Sequence, residues 1–203
     1  HRMGYLVEEE GKYRIGMNIL RLGDLSRKKM KLYEKSKSEI AGLAEKTGEY
    51  ASLVVEEHGE AVIVATEEGD NAIPVQVFDG IRMTMHTEAP GKAILAFLPE
   101  ERVHEIIDRH GLEPMTKHTI SNQDDLFEEL ETIRNQRFAL DDEERMLGMR
   151  SVAVPITDRN ERVQGALTIY GPTNRIKGDI FKEDLPELLL QSGNIVEVLL
   201  NYD

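Results

Sequence analysis

Along the 203 residues the spacing of apolar positions changes several times, and each change marks an element. "GYLVEEEGKYRIG" sets apolar against polar positions, Tyr5 and Val7 then Tyr13 and Ile15, around Glu8-Glu9-Glu10-Gly11, which predicts a β-hairpin. A lone hairpin has too little to bury. The spacing then becomes helical. Met17, Ile19, Leu20, Leu22 and Leu25 predict a short connecting helix, and Met30, Tyr33, Ile40, Leu43 and Ala44 a longer one closed by Gly48 at its C-cap.

Period two returns in "EYASLVVEE", "EAVIVATEE" and "IPVQVFD", separated by the turn signals His58-Gly59 and Gly69-Asp70-Asn71, so three strands of an antiparallel meander are expected. Two helices follow. Pro99 to His110 turns Val103, Ile106 and Ile107 inward and stops at Gly111, and Asp124 to Arg137 buries a stripe of Leu126, Phe127, Leu130 and Ile133. "FALDDEE", "RSVAVPIT" and "VQGALTIYG" predict three more strands, the last two joined by Asp158-Arg159-Asn160-Glu161. A final helix is expected from Asp184 to Tyr202, with Pro186 in its first turn, where the lost N–H is harmless. The sum is an α+β fold: a central antiparallel sheet flanked by helices.

Composition narrows the function. With no cysteine, disulfides, thiolate metal sites and thiol nucleophiles are all excluded. No apolar run approaches the ~20 residues of a membrane helix and no secretory pattern opens the chain, so a cytoplasmic protein with no membrane partner is expected. The net charge of −13 is uneven: residues 1–37 hold ten Lys or Arg against five Asp or Glu, whereas the remainder hold fifteen against thirty-three. Phosphate binding needs cations. Only the basic start could sit near nucleic acid, and a lysine-rich solvated helix face explains it equally well.

Few residues carry a chemical signature. The six histidines lack helical ligand spacing, no G-x-S-x-G elbow occurs, and Gly91-Lys92 lacks the earlier glycine of a phosphate loop, so no metal and no cofactor is expected. On a strand, the carboxylates of Asp141-Asp142-Glu143-Glu144 would alternate between faces, leaving at most one pair for a shared site. One stretch stands out. In "MHTEAPGKAILAFLPEE" the small residues Ala89 and Gly91 precede a helical run, and a helix start with free N–H groups attracts a carboxylate. Its dipole contributes only about 0.3–1 kcal/mol when exposed, so other groups must converge. Ser151, Thr168 and Tyr170 on the late strands are candidates. The alternative is that these hydroxyls are satisfied within the fold and Gly91 merely caps a turn.

Read together, "GYLVEEEGKYRIG", "MHTEAPGKAILAFLP", "TIRNQRFALDDEERMLGMRSVAVPITD" and "VQGALTIYGP" resemble the IclR family of transcriptional regulators over essentially the whole chain. The resemblance implies a GAF-like, profilin-like effector-binding domain over residues 29–203, a linker helix over 17–28, and over 1–16 a remnant of the wing of a winged helix-turn-helix whose recognition helix is missing. It further implies a ligand site made of Met83, Ala89, Pro90, Gly91, Asp141, Ser151, Thr168 and Tyr170. The implied partners are a small organic acid, a second copy of the chain in a homodimer or tetramer, and DNA through the missing part. Arg137 stands where the family pattern has a small residue, and Thr157 where it has an aromatic residue or histidine. Pro90 removes an N–H at the site and Tyr170 replaces a small hydroxyl side chain, so an aromatic or otherwise larger acid is expected, or a pocket partly filled by Tyr170 itself. The function expected is ligand sensing coupled to operator binding, without catalysis. A ligand-free dimerisation module and a GAF-like enzyme are the alternatives.

Overall fold

The computed structural model describes residues 3–74 and 78–202. Strands β1 (Leu6–Glu9) and β2 (Lys12–Ile15) pair as the expected hairpin, turned by Glu10 and Gly11 at φ 52° and 77°. Helix α1 (Asn18–Lys28) buries none of its residues. Helix α2 (Lys31–Thr47) ends on Gly48 in the left-handed region at φ 71°, a conformation that costs glycine nothing.

Six strands then form one antiparallel sheet in the order β5-β4-β3-β8-β7-β6. They are β3 (Tyr50–Glu57), β4 (Glu60–Glu67), β5 (Arg82–Thr84), β6 (Ala139–Asp142), β7 (Met149–Thr157) and β8 (Val163–Pro172). The two predicted meanders are halves of this sheet, joined where Tyr50 of β3 lies opposite Tyr170 of β8. Helices α3 (Ala89–Leu95), α4 (Glu100–His110) and α5 (Gln123–Gln136) cover one face; α2 and α6 (Leu185–Asn201), the latter led by a π-helical turn at Ile180–Asp184, cover the other. Both faces are therefore packed. Val54, Ala153 and Ala166 point to the α3 side, while Leu53, Val152, Val154 and Leu167 point to the α2 side.

Three expectations need correction. In the "IPVQVFD" strand, Ile73, Pro74 and Phe78 belong to no regular element, and Val75, Gln76 and Val77 lie outside the described residues. The third strand of that half is β5 instead, whose Arg82, Met83 and Thr84 pair with Val62, Ala61 and Glu60. Pro74 has no N–H to give a ladder, whereas Ile81, Met83 and Met85 alternate cleanly. Second, α3 begins at Ala89, so Gly91 sits inside its first turn instead of before it. Third, β6 stops at Asp142, and Glu143 turns the chain at φ 63°. The alternation expected through Glu144 is thus broken, and Glu144 returns inward.

Among the described residues, no helix is long and apolar enough to cross a membrane.

Candidate functional site

The alternation of the sheet brings the late strands and the start of α3 around one cavity of about 460 Å³. Such a volume lies in the range of roughly 300–1,000 Å³ typical of small-molecule sites. Val54, Ile63, Ile81 and Met83 form its apolar wall from the first half of the sheet, and Met146 of the loop before β7 and Met149 at the start of β7 add to it. A bulge at Val64, opposite Leu53 and Val54, keeps Ile63 on the cavity side while Ala65 turns to the other core.

Six of the eight residues expected at the site line this cavity: Met83, Pro90, Asp141, Ser151, Thr168 and Tyr170. Ala89 and Gly91 stand behind its wall. Ala89 donates its N–H to Ser151 Oγ at 3.4 Å, and a Cβ on Gly91 would lie 2.1 Å from the Met85 carbonyl oxygen. Gly91 thus serves close packing of α3 on the preceding loop.

The hydroxyls divide. Ser151 donates to Asp141 Oδ2 at 3.0 Å and Thr168 to the Val152 carbonyl at 2.9 Å, so both protons are committed inside the fold. Tyr170 differs: its ring stacks on Tyr50 with centroids 5.0 Å apart, yet its buried hydroxyl has no hydrogen-bond partner. Burial, reinforced by the electrostatic influence of Tyr50 and Glu88, pushes its pKa upward, so it remains a neutral donor.

Charged residues that the sequence reading passed over complete the site. Glu88 and Arg145, both lining the cavity, are ion-paired. Burial pushes the Glu88 carboxyl up, against the pull of Arg145. Arg150 is paired with Asp142 at 2.6 Å and also donates to the Ile176 carbonyl. Next to Asp141 in the fold, the side chain of Lys92 is 1% exposed and is ion-paired with Glu144 and, at 3.3 Å, with Glu129. The Glu144 N–H donates to Asp141 Oδ1 at 2.8 Å, while Glu144 Oε2 is buried without a partner. Burial raises Asp141 to about 6 and Glu144 to about 7. A lysine within the apolar run of α3 was the available sequence signal; nothing local distinguished Glu88 or Arg145, which meet across 57 positions.

Among the described residues, no three His, Asp or Glu side chains converge as a metal site requires. The arrangement suits binding: a chamber with an apolar wall, a neutral hydroxyl donor, and two arginines each paired with a carboxylate.

Residues 25–196 match the family model described as "Bacterial transcriptional regulator IclR C-terminal". The chain belongs to the IclR family of transcriptional regulators. It is 34% identical, over 96% of its length and 76% of the relative's, to a probable HTH-type transcriptional regulator ArcR of Halobacterium salinarum. The crystal structure of the Thermotoga maritima IclR superposes with a TM-score of 0.88 at 27% identity, covering 99% of this chain and 81% of that one. The inducer-binding domain of a PobR double mutant from Acinetobacter, solved with 3-hydroxybenzoic acid, matches with a TM-score of 0.73 at 27% identity, over 81% of this chain and 96% of that one. This IclR-family chain therefore has the family's effector-domain fold, and its relatives are transcriptional regulators.

Proposed function

We propose that the cavity is the effector site of this regulator and that it takes a small organic acid with an aromatic-sized apolar body. The observation that carries the reading is the pairing of an apolar wall, in a chamber of about 460 Å³, with an unpartnered tyrosine hydroxyl and two arginines in the same lining. The residues assigned to ligand contact are Met83, Pro90, Asp141, Ser151, Thr168 and Tyr170, with Ala89 and Gly91 shaping the wall behind them. Pro90 contributes surface but no N–H, which favours bulk over a two- or three-carbon oxoacid. The 3-hydroxybenzoic acid bound by the PobR domain has the size and polarity this reading calls for.

In this reading residues 29–203 sense the ligand, 17–28 link, and the hairpin within 1–16 belongs to the DNA-binding side. The protein is a cytoplasmic regulator that acts on DNA as a homodimer or tetramer, and it needs a coupling free energy of about 1–3 kcal/mol between cavity and linker. Catalysis is not part of the proposal; turnover of a bound acid by the purified chain would replace it with an enzyme.

The test is thermal unfolding against a panel of monocarboxylates including 3-hydroxybenzoate and 4-hydroxybenzoate. A ligand at a hundred times its Kd stabilises the fold by about 2.7 kcal/mol. In a domain of this size that raises the midpoint by roughly 5–10 °C. No shift with any acid would leave only an oligomerising scaffold.

A further inference from the structure

The charges lining the cavity pose a problem for an acid. Two carboxylates, Glu88 and Asp141, face it, and its two arginines are already engaged, Arg150 by Asp142 and the Ile176 carbonyl, Arg145 by Glu88. An entering carboxylate must displace one of these partners or stay unpaired in a poorly solvated chamber, where an uncompensated charge is costly. The two arginines are not equivalent. Arg150 lies on β7 and is held from two sides, whereas Glu88 is the only charged partner of Arg145 among the described residues.

Arg145 is also mounted to pivot. It projects from the loop between β6 and β7, whose backbone is fixed on both sides of it: Glu143 N–H donates to the Met149 carbonyl at 3.1 Å, Gly148 N–H to Glu143 Oε2 at 2.6 Å, and Thr116 and Thr119 donate to the Glu143 and Glu144 carbonyls. The loop stays while the side chain, 34% exposed, can turn. Glu88 is equally free of a second duty. It is the N-cap residue of α3, yet its side chain makes no capping hydrogen bond. Beside them waits the Tyr170 hydroxyl, on which the charges of both Glu88 and Arg145 bear.

We propose that Arg145 is the residue that receives the carboxylate of the effector, and that Glu88 is an internal competitor occupying Arg145 in its place. The inference rests on the effector reading above and adds to it which residue recognises the acid group and what opposes binding. On entry, the ligand carboxylate accepts from Arg145 and from the Tyr170 hydroxyl, and Glu88 is displaced. The site then discriminates strongly between an acid and its uncharged analogue, because only the acid repays the broken pair.

Calorimetric titration of the full chain with 3-hydroxybenzoate and with its neutral isostere 3-hydroxybenzamide tests this, in the natural protein and in the Arg145→Gln and Glu88→Gln variants. The natural protein should prefer the acid. Arg145→Gln should lose about ten-fold in affinity for the acid and little for the amide. Glu88→Gln should move the other way, binding the acid several-fold more tightly, because the competitor has lost its charge. A pair that only braces the loop would weaken acid and amide alike in both variants, and that result overturns the proposal. So does equal binding of acid and amide by the natural protein, which needs no variant and leaves the effector reading intact. If neither compound nor any acid of the panel binds, the effector reading and this assignment fall together.

Discussion

Lys92 anchors the buried carboxylates that adjoin the cavity residue Asp141. Its ammonium is almost completely removed from water and faces Glu144 and Glu129, with Asp141 adjoining through the Glu144 N–H. The carboxylates outnumber the cation. Burial, the dominant influence, lifts Asp141 from 3.8 to about 6 and Glu144 from 4.5 to about 7. Both groups therefore bind protons more tightly folded than unfolded. Their contribution to stability is complete below about pH 4 and is lost as pH rises through 6 and 7. For Glu144 the loss is on the order of 3 kcal/mol. The melting temperature should thus fall between pH 5.5 and pH 8, and Glu144→Gln should flatten that slope. An unchanged slope in the variant would show that Glu144 ionises as an ordinary surface carboxylate. The sequence disclosed Asp141 through its resemblance to the family, on a strand whose period is readable. It hid Glu144 because one residue with positive φ, Glu143, reverses the alternation, and no local pattern announces that.

At the scale of the element, most of what the hydrophobic spacing predicted is present, and the departures share a cause: tertiary contacts overrule local pattern. Arg137 illustrates it. The small residue expected there is the natural occupant of a helix C-cap at φ 61°, where a side chain is strained. Here an arginine is retained because it reaches Glu197 at 3.0 Å and lies over the Phe97 ring at 5.2 Å. Gly91 shows the converse. An alanine there would gain roughly 1 kcal/mol in helix propensity. Yet its Cβ would meet the Met85 backbone at 2.1 Å, with no flexible side chain to yield. Steric overlap with backbone outweighs propensity, so Gly91→Ala should cost about 3 kcal/mol or more. A fall in the denaturant midpoint at unchanged slope would register the loss; a stabilised variant would mean that α3 can shift away from the loop at no cost.

For the whole molecule the open question is what covers α1. A helix normally turns an apolar stripe to a core, and in α1 Ile19, Leu22 and Leu25 form such a stripe by their three-residue spacing, yet all three remain exposed among the described residues. Met17 and Leu20, 73% and 70% exposed, widen the apolar surface. Exposed patches of this kind mark interfaces. Under the effector reading the cover is α1 of a second copy, which would also carry a change at the cavity to paired DNA-binding units. The segment around α1 is rich in lysine and arginine, so two copies brought together there repel, and the apolar contact must outweigh that repulsion. Two consequences are measurable by sedimentation. Added salt should leave self-association unchanged or strengthen it, since it screens the repulsion and not the burial. Leu22→Glu should release the 23.0 kDa monomer without lowering its melting temperature, because Leu22 joins neither core cluster of the described residues. If the variant sediments as the natural protein does, the copies meet elsewhere, and the exposed stripe of α1 must be covered by a different partner.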